Sequence, residues 1–234
     1  MNLASFFSGG KDSTYSVFVA KNLGHTVKCL LTILPTSDES LLLHHPNIRW
    51  TKLQSESMRI PQIISNVGSS DDTMNNDTVE GNTMEGVLVC AKNDYNIEGI
   101  VHGGISSIYQ KKRFESLCKK CGLEVFSPLW GMLPHAYMNK LLDDNFEYVI
   151  TSVSSGGLDD SWLGKTITKN DVKILSGMSI RHGFNMNFEG GEAETFVTNC
   201  PLFSRPIQIS DAKRFWDGYR GRFEILEAGL ISNA

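Results

Sequence analysis

Ser8-Gly9-Gly10-Lys11-Asp12-Ser13 is the stretch that decides how this chain folds. It follows an apolar run, residues 3–7, and opens an amphipathic one, residues 14–21. The order is strand, glycine turn, helix. Backbone amides in such a turn converge on one concavity, and the helix N-terminus adds partial positive charge. Gly9 and Gly10 permit positive φ and the close approach of a ligand. Lys11 brings a full charge, and Ser8 and Ser13 bring hydroxyl donors. Together they form a cradle for a polyphosphate, with Asp12 placed to help hold a magnesium ion or to orient the loop. The plainer alternative is an ordinary glycine turn, which needs neither the lysine nor the two hydroxyls. A Walker A loop is excluded, because Ser5 stands where that motif requires glycine.

Outward from this turn, strand-like and helix-like runs alternate. Residues 27–34 are almost continuously apolar, as suits a strand buried on both faces of a parallel sheet. Residues 63–67, 97–102 and 148–153 are shorter runs of the same kind. Helical patterns cover 13–22, 50–59, 83–93, 109–121 and 134–143, with Gly122 as a C-cap and Pro134 in a first turn. The alternation predicts an α/β fold with a doubly wound parallel sheet, whose ligands sit beyond the carboxyl ends of the strands. The turn at Ser8–Ser13 and the segments 35–40 and 103–107 all follow strands and can face one crevice. Residues 68–82 are polar and poor in core formers, and read as a mobile surface loop. Beyond about residue 154 the texture is α+β: a helix over 171–182, then short strand-like runs at 195–200, 207–209 and 222–226. This predicts a main domain over 1–130 and a smaller C-terminal α+β domain over 131–234, with Pro128 and Pro134 flanking the link.

The totals bound the function. The chain has 234 residues, 41% apolar and 21% charged, which suits a soluble globular protein with a sizeable core. A net charge of −4 argues against a sequence-blind grip on nucleic acid. The apolar runs are too short to span a bilayer. Met1 leads directly into the first strand, leaving no room for a targeting segment. With five scattered cysteines, this predicts a cytoplasmic protein with reduced thiols.

Further clusters carry candidate chemistry. Glu189-Gly190-Gly191-Glu192-Ala193-Glu194-Thr195 packs three carboxylates into six residues around two glycines. Such a set is costly unless hydrated, paired or bound to a cation. A loop reaching into the crevice and an acidic tip in water both remain open. Tyr109-Gln110-Lys111-Lys112-Arg113 puts cations near a helix start, where the dipole disfavours them unless an anion is faced. Gln110 and Arg113 are the better site residues of this run, and Lys111 and Lys112 read as a solvated face. Cys118 and Cys121 form a single CxxC late in a helix, which is neither a zinc site nor a reactive thiol. Cys118 is expected to pack inward. His44 of the tandem His44-His45-Pro46 is retained as a substrate-side residue; the other histidines carry no pattern.

The first motif resembles the SGGxDS signature of the PP-loop ATP pyrophosphatase superfamily, an adenine nucleotide alpha hydrolase-like fold. Its members split ATP between the α and β phosphates. The resemblance extends over nearly the whole chain to one family, the diphthine–ammonia ligases of diphthamide synthesis. It is carried by Glu39-Ser40 with His44 and Pro46-Asn47-Ile48; Gly103-Gly104-Ile105-Ser106-Ser107 with Tyr109, Gln110 and Arg113; Gly122-Leu123 and Pro128-Leu129-Trp130; Trp162-Leu163-Gly164; and Glu189 to Thr195 leading to Cys200-Pro201. Gly104 stands where many members carry an acidic residue. The resemblance is to the compact archaeal type of the family, and implies an enzyme without the extra C-terminal domains of eukaryotic members.

The resemblance implies ATP and Mg²⁺ as cofactors and ammonium as nitrogen donor. The implied protein substrate is diphthine-bearing translation elongation factor 2, amidated to diphthamide through an acyl-adenylate. It implies nucleotide contacts from Ser8, Gly9, Gly10, Lys11, Asp12, Ser13, Gly103 and Gly104, with Asp12 toward the metal. Substrate contacts would come from His44, Tyr109, Gln110, Arg113, Glu189, Gly190, Gly191, Glu192, Glu194 and Thr195. Lys11, Asp12 and Glu192 would carry the chemistry. Two other classes compete: a PP-loop enzyme adenylating tRNA bases, which usually adds an RNA-binding domain or catalytic cysteines, and a non-catalytic ATP- or AMP-sensing domain. No stable nucleic-acid or membrane partner is expected, and a homodimer is left open.

Overall fold

The computed structural model describes residues 1–34, 47–67 and 76–232. The first strand, β1 (Asn2–Phe6), is buried along its middle and runs into the glycine turn and α1 (Lys11–Asn22). Then come β2 (Thr26–Leu34), α2 (Thr51–Met58), β3 (Gln62–Asn66), α3 (Asn76–Tyr95), β4 (Gly99–Val101), α4 (Ile108–Cys121) and β5 (Glu124–Phe126). These strands form a parallel five-stranded sheet in the order β3-β2-β1-β4-β5. The chain starts in the middle, works outward to β3 and then crosses to β4. Strand order therefore reverses between β1 and β4, and a crevice opens there beyond their carboxyl ends.

Local chemistry accounts for most of these elements. Strand β2 is nearly continuous in apolar residues because both of its faces are covered. Helix α4 begins at Ser107, whose side chain accepts from Gln110 N, and ends at Gly122 in the left-handed region. Helix α3 differs from expectation: it starts at Asn76, so residues 76–82 are helical where a surface loop was predicted. Met84, Val87, Leu88 and Ala91 bury one stripe of it against the sheet, and that burial carries helical structure back into a polar turn of low propensity. Residues 68–75 of the expected loop lie outside the described residues.

The C-terminal half holds α5 (Pro134–Asp143), β6 (Glu147–Val153), α6 (Lys169–His182), β7 (Ala193–Asn199), β8 (Ile207–Trp216) and β9 (Gly221–Leu230). Its antiparallel sheet runs β7-β6-β9-β8. Strands β8 and β9 form a hairpin of ten residues a side, far longer than the short runs expected. Much of it is exposed on both faces, so apolar alternation is weak where backbone pairing continues.

The two halves share one core. Tyr15 on α1 packs with Tyr137, Phe146 and Tyr148 in the largest apolar cluster, while Val17 and Ala20 of the same helix pack with Leu3 and Val101 of the parallel sheet. Each large side chain buried in this way contributes roughly 1.5–3 kcal/mol. Polar staples reinforce the contact. Asn47 donates to Phe223 O and accepts from Ile225 N, both at 2.8 Å. Ser57 O accepts from Ser204 N at 2.9 Å, and Ser57 Oγ accepts from Arg205 N at 3.1 Å. Helix α1 is thus held from both sides, which fixes the direction in which its N-terminus points.

Candidate active site

A cavity of about 510 Å³ opens at the strand-order reversal. Ser8, Gly10, Lys11, Asp12 and Ser13 form its floor; Gly103, Gly104 and Ser107 form one wall, and Phe188 to Gly191 with Ala193 to Thr195 form another. Phe7, Leu31, Ile33, Met84 and Phe114 give it an apolar end. The expectation that the first glycine turn and the segment after Gly103 meet at one crevice is met in the geometry. His44 and the segment 35–40 lie outside the described residues.

The floor is tightly built. Gly9 has φ +79°, and a Cβ there would lie 2.3 Å from Gln54 Oε1 and 2.9 Å from Thr51 Cγ2. Gln54 Nε2 donates to Gly9 O (2.9 Å) and Val197 O (2.8 Å), while Val197 N donates to Gly9 O (3.0 Å). The turn is therefore stitched to β7 of the other half. Lys11 N donates to Thr195 Oγ1 at 3.1 Å, so Thr195 caps this floor from across the cavity. Ser13 Oγ lies 3.1 Å from Ser8 Oγ and 3.2 Å from Gly10 O.

The Lys11 side chain is only 2% exposed, and its Nζ lies 2.9 Å from both oxygens of Asp12. Tyr137 OH, from α5, donates to Asp12 Oδ1 at 2.6 Å. Burial, and then the Asp12 charge, hold the Tyr137 phenol protonated far above its ordinary range. Asp12 is thus shared between a lysine and a buried phenol, and a buried cation so balanced is available to an incoming anion without a large desolvation cost.

The wall at Gly103 depends on close packing. A Cβ on Gly103 would stand 2.5 Å from the backbone carbon of Asp12. His102 is buried immediately before it; its Nδ1 accepts from Gly104 N at 3.0 Å, and its Nε2 lies 2.7 Å from Ser127 Oγ. Burial lowers its pKa to about 4, with Glu189 opposing and Lys111 assisting. A neutral imidazole here fixes the Gly104 amide. Sequence reasoning passed over His102; its place at the carboxyl end of a strand was the available signal. Tyr109, Gln110 and Arg113 all line the cavity, and Arg113 Nη1 donates to Tyr109 OH at 3.1 Å. Lys111 instead lies over the Trp130 ring at 4.4 Å.

The three carboxylates of the acidic loop go to three different places. Glu189 Oε1 accepts from the amides of Ile105 and Ser106 at 2.6 Å and of Ser107 at 3.2 Å, and Ser106 Oγ donates to its other oxygen. Burial pushes its pKa up, but the Ser106 hydroxyl and these amides together outweigh burial and hold it below the usual carboxylate range. Glu189 thus anchors the loop to the start of α4. Glu192 departs from the expected catalytic position: it does not line the cavity, its Oε1 accepts from Asn185 N at 2.8 Å, and its Oε2 is buried without a hydrogen bond. Glu194 does line the cavity. Glu194 is the second residue of β7, which begins at Ala193, whereas Glu192 precedes the strand and is held in the turn by Asn185. Phe188, also unforeseen, lines the cavity at φ +64°, a region that costs about 1–2 kcal/mol for a bulky residue. Its ring lies 5.6 Å from Lys11 Nζ.

Cys118 packs inward as expected and all five cysteines are free thiols. No helix among the described residues is long and apolar enough to cross a membrane.

A parallel sheet that delivers a glycine turn and a buried lysine to its reversal point, opposite a loop of carboxylates, defines a nucleotide-binding α/β enzyme. The family models for the diphthamide synthase N-terminal and C-terminal domains match residues 1–125 and 133–231. Relatives named diphthine–ammonia ligase include those of Homo sapiens (31% identical over 226 residues, 91% of this chain and 84% of the relative) and Rattus norvegicus (32% over 226 residues, the same shares). That of Schizosaccharomyces pombe is 28% identical over 221 residues, 90% of this chain but 36% of the relative. Among solved structures, the chain is similar to a predicted subunit of a tRNA methyltransferase from Methanocaldococcus jannaschii (14% identity, TM-score 0.40, 85% of this chain and 98% of that one), too distant a likeness to bear on fold or function. The chain belongs to the diphthamide synthase family, and is an ATP-dependent ligase.

Proposed function

We propose that this enzyme amidates the diphthine side chain of translation elongation factor 2 with ammonium, through an acyl-adenylate. The observation that carries the reading is the cavity itself, in which a buried lysine on a glycine turn faces an acidic strand end across a space of nucleotide size. A carboxylate oxygen of the substrate bonds to the α-phosphorus of ATP as the bridge to the β-phosphate breaks. Gly9, Gly10 and Lys11 stabilise the charge growing on the departing pyrophosphate, while Ser8 and Ser13 orient it. The nitrogen of ammonia, having lost its extra proton, then bonds to the acyl carbon, and AMP leaves with the former carboxylate oxygen.

Gly103 and Gly104 bound the nucleotide, and Tyr109, Gln110 and Arg113 border the substrate side. Glu194 and the Phe188 ring suit the cationic trimethylammonium group next to the reacting carboxylate. Gly190 leaves room for the Glu192 carboxylate, Gly191 supplies the left-handed bend of the loop, and Thr195 keeps the floor in place. Magnesium binds with one or two carboxylates, its other ligands being waters and substrate phosphates. No cluster of three or more metal-ligating side chains converges among the described residues, while Asp12 and Glu194 both border the cavity. That donor set fits a magnesium ion brought in on ATP, with Asp12 as its protein ligand and charge neutralisation as its contribution. The reaction belongs to the cytoplasm, where elongation factor and ATP are found together.

The test is nucleotide release from labelled ATP with ammonium and diphthine-bearing elongation factor. The enzyme should yield one AMP and one pyrophosphate per amide formed, and Lys11→Met should lower the rate by roughly a hundredfold or more. Formation of ADP overturns the reading. Stimulation by tRNA instead of the factor would point to base modification, and tight binding without turnover to a sensing domain.

A further inference from the structure

The cavity wall does not end at Glu194. In the antiparallel sheet Glu194 is paired with Ser152, Ser152 with Arg222, and Arg222 with Phe215. Residues directly opposite one another project from the same face of a sheet, so these four form one row across all four strands. The neighbouring row starts with Ala193 and Val153, both buried in the core, which leaves the Glu194 row on the outer face. At a strand spacing of about 4.8 Å, Arg222 stands roughly 10 Å from Glu194 and Phe215 roughly 15 Å away. The row thus leads from the cavity to the end of the β8–β9 hairpin.

That end differs in chemistry from the rest of the chain. Residues 213–222 hold Lys213, Arg214, Arg220 and Arg222 against one carboxylate, Asp217, with Glu224 paired across from Lys213, in a protein of net charge −4. Asp217 is engaged in the turn, where its Oδ1 accepts from the amides of Tyr219 (2.8 Å) and Arg220 (2.6 Å). Three aromatic rings accompany the cations. Phe215 lies between Lys213 Nζ at 4.8 Å and the Arg222 guanidinium at 4.3 Å from its centroid, Tyr219 is exposed in the turn, and Trp216 is partly exposed on the opposite face, in the row of Gly221 and Val153. Arginine, tryptophan and tyrosine are the residues that dominate protein–protein hot spots.

We propose that the end of this hairpin is where the protein substrate docks, through an acidic patch next to the residue being modified. This rests on the function proposed above, since a folded substrate that reaches the cavity with one side chain must rest against the rim. A protein fits better than a nucleic acid. Further down the same hairpin Asp211 and Glu227 face each other, both exposed, and Glu194 closes the row at its other end. A continuous phosphate backbone following the hairpin would run onto these carboxylates, whereas a discrete acidic patch would not.

The experiment is steady-state kinetics on the full chain with Lys213, Arg220 and Arg222 changed together to glutamate. KM for diphthine-bearing elongation factor should rise roughly tenfold or more. KM for ATP, and kcat at saturating factor, should stay within about twofold, because no residue of the cavity is altered. For the wild-type enzyme, KM for the factor should rise with ionic strength, and in the variant that dependence should flatten or reverse. A glutamine set at the same positions, which spares the hairpin any new repulsion, should give a smaller rise in the same direction. An unchanged KM for the factor in both sets overturns the docking surface while leaving the proposed reaction intact. Wild-type enzyme that forms no amide overturns the reaction and the dock with it. RNA binding that vanishes in the glutamate set, with KM for the factor unaltered, assigns the hairpin to nucleic acid and also overturns the proposal.

Discussion

Two glycine-containing loops face each other across the cavity, Ser8 to Ser13 and Glu189 to Thr195, and they are held in different ways. The first carries its chemistry in consecutive residues, with Gln54, Tyr137 and Val197 bracing it from outside: the glycines shape the turn, Lys11 and Asp12 pair with each other, and Ser8 and Ser13 bond across it. The second is defined by distant partners. Glu189 reaches amides 82 to 84 residues away, Thr195 Oγ1 meets an amide 184 residues away, and Glu192 is turned onto Asn185. The lesson is that three carboxylates close in sequence are not one functional group. Two border the cavity, Glu189 as the loop's anchor and Glu194 at the start of β7, and Glu192 braces the loop from behind.

If the first loop is set by close packing, Gly9→Ala is the most damaging small change in the molecule. The new methyl group would meet Gln54 Oε1 at 2.3 Å at a φ of +79°. Gln54 cannot withdraw without giving up its bonds to Gly9 O and Val197 O. Overpacking and left-handed strain together should cost about 3 kcal/mol. Urea denaturation should show this loss, and calorimetry should show ATP binding largely gone. A variant with native stability and affinity would mean that the turn has slack and that the contrast between the loops is false.

The second loop is tested at its anchor. Glu189→Gln removes the charge from an acceptor of three amides at the start of α4. The loss should be about 1–2 kcal/mol, less than for a fully buried site because the residue is only half-buried. Linkage sets the sign. The folded-state pKa of Glu189 lies below its unfolded value, so its stabilisation is complete above the ordinary glutamate range and is lost as pH falls through the lower folded value. Wild type and variant should therefore converge in stability as the solution is acidified. A constant difference down to that range would show that Glu189 acts through packing instead of charge.

What could be read without a structure follows the same division. The parallel sheet, its glycine turn and the cavity-facing Arg113 were legible because strand, turn and helix propensities act over a few residues. The different tasks of Glu189, Glu192 and Glu194 were not: amides 82 to 84 residues away decide the first, a turn amide seven residues back takes the second, and the third falls inside the strand that opens at Ala193. His102 escaped notice because a lone histidine has no spacing to recognise; only its position after β4, against Ser127 and Gly104, gives it a task. The start of α3 was hidden for a related reason: burial of its later turns overrides weak local propensity at Asn76. The hairpin strands were underestimated because exposure on both faces erases the period that would reveal them.

The finest test of the contrast uses a second glycine with nearly the same backbone. Gly191 has φ +81°, within two degrees of Gly9, yet a Cβ built on it has nothing within 4 Å. Gly191→Ala should therefore carry the left-handed strain without the clash, about 1 kcal/mol, a drop of roughly 2–4 °C in Tm for a chain of this size. The Glu189 anchor should hold the loop in place, so kcat and KM for ATP should stay near the wild-type values. Because φ is matched, the difference between Gly9→Ala and Gly191→Ala isolates the effect of space alone. Equal losses at the two positions would show that backbone strain governs both loops, and that the tight stitching of the first contributes nothing of its own.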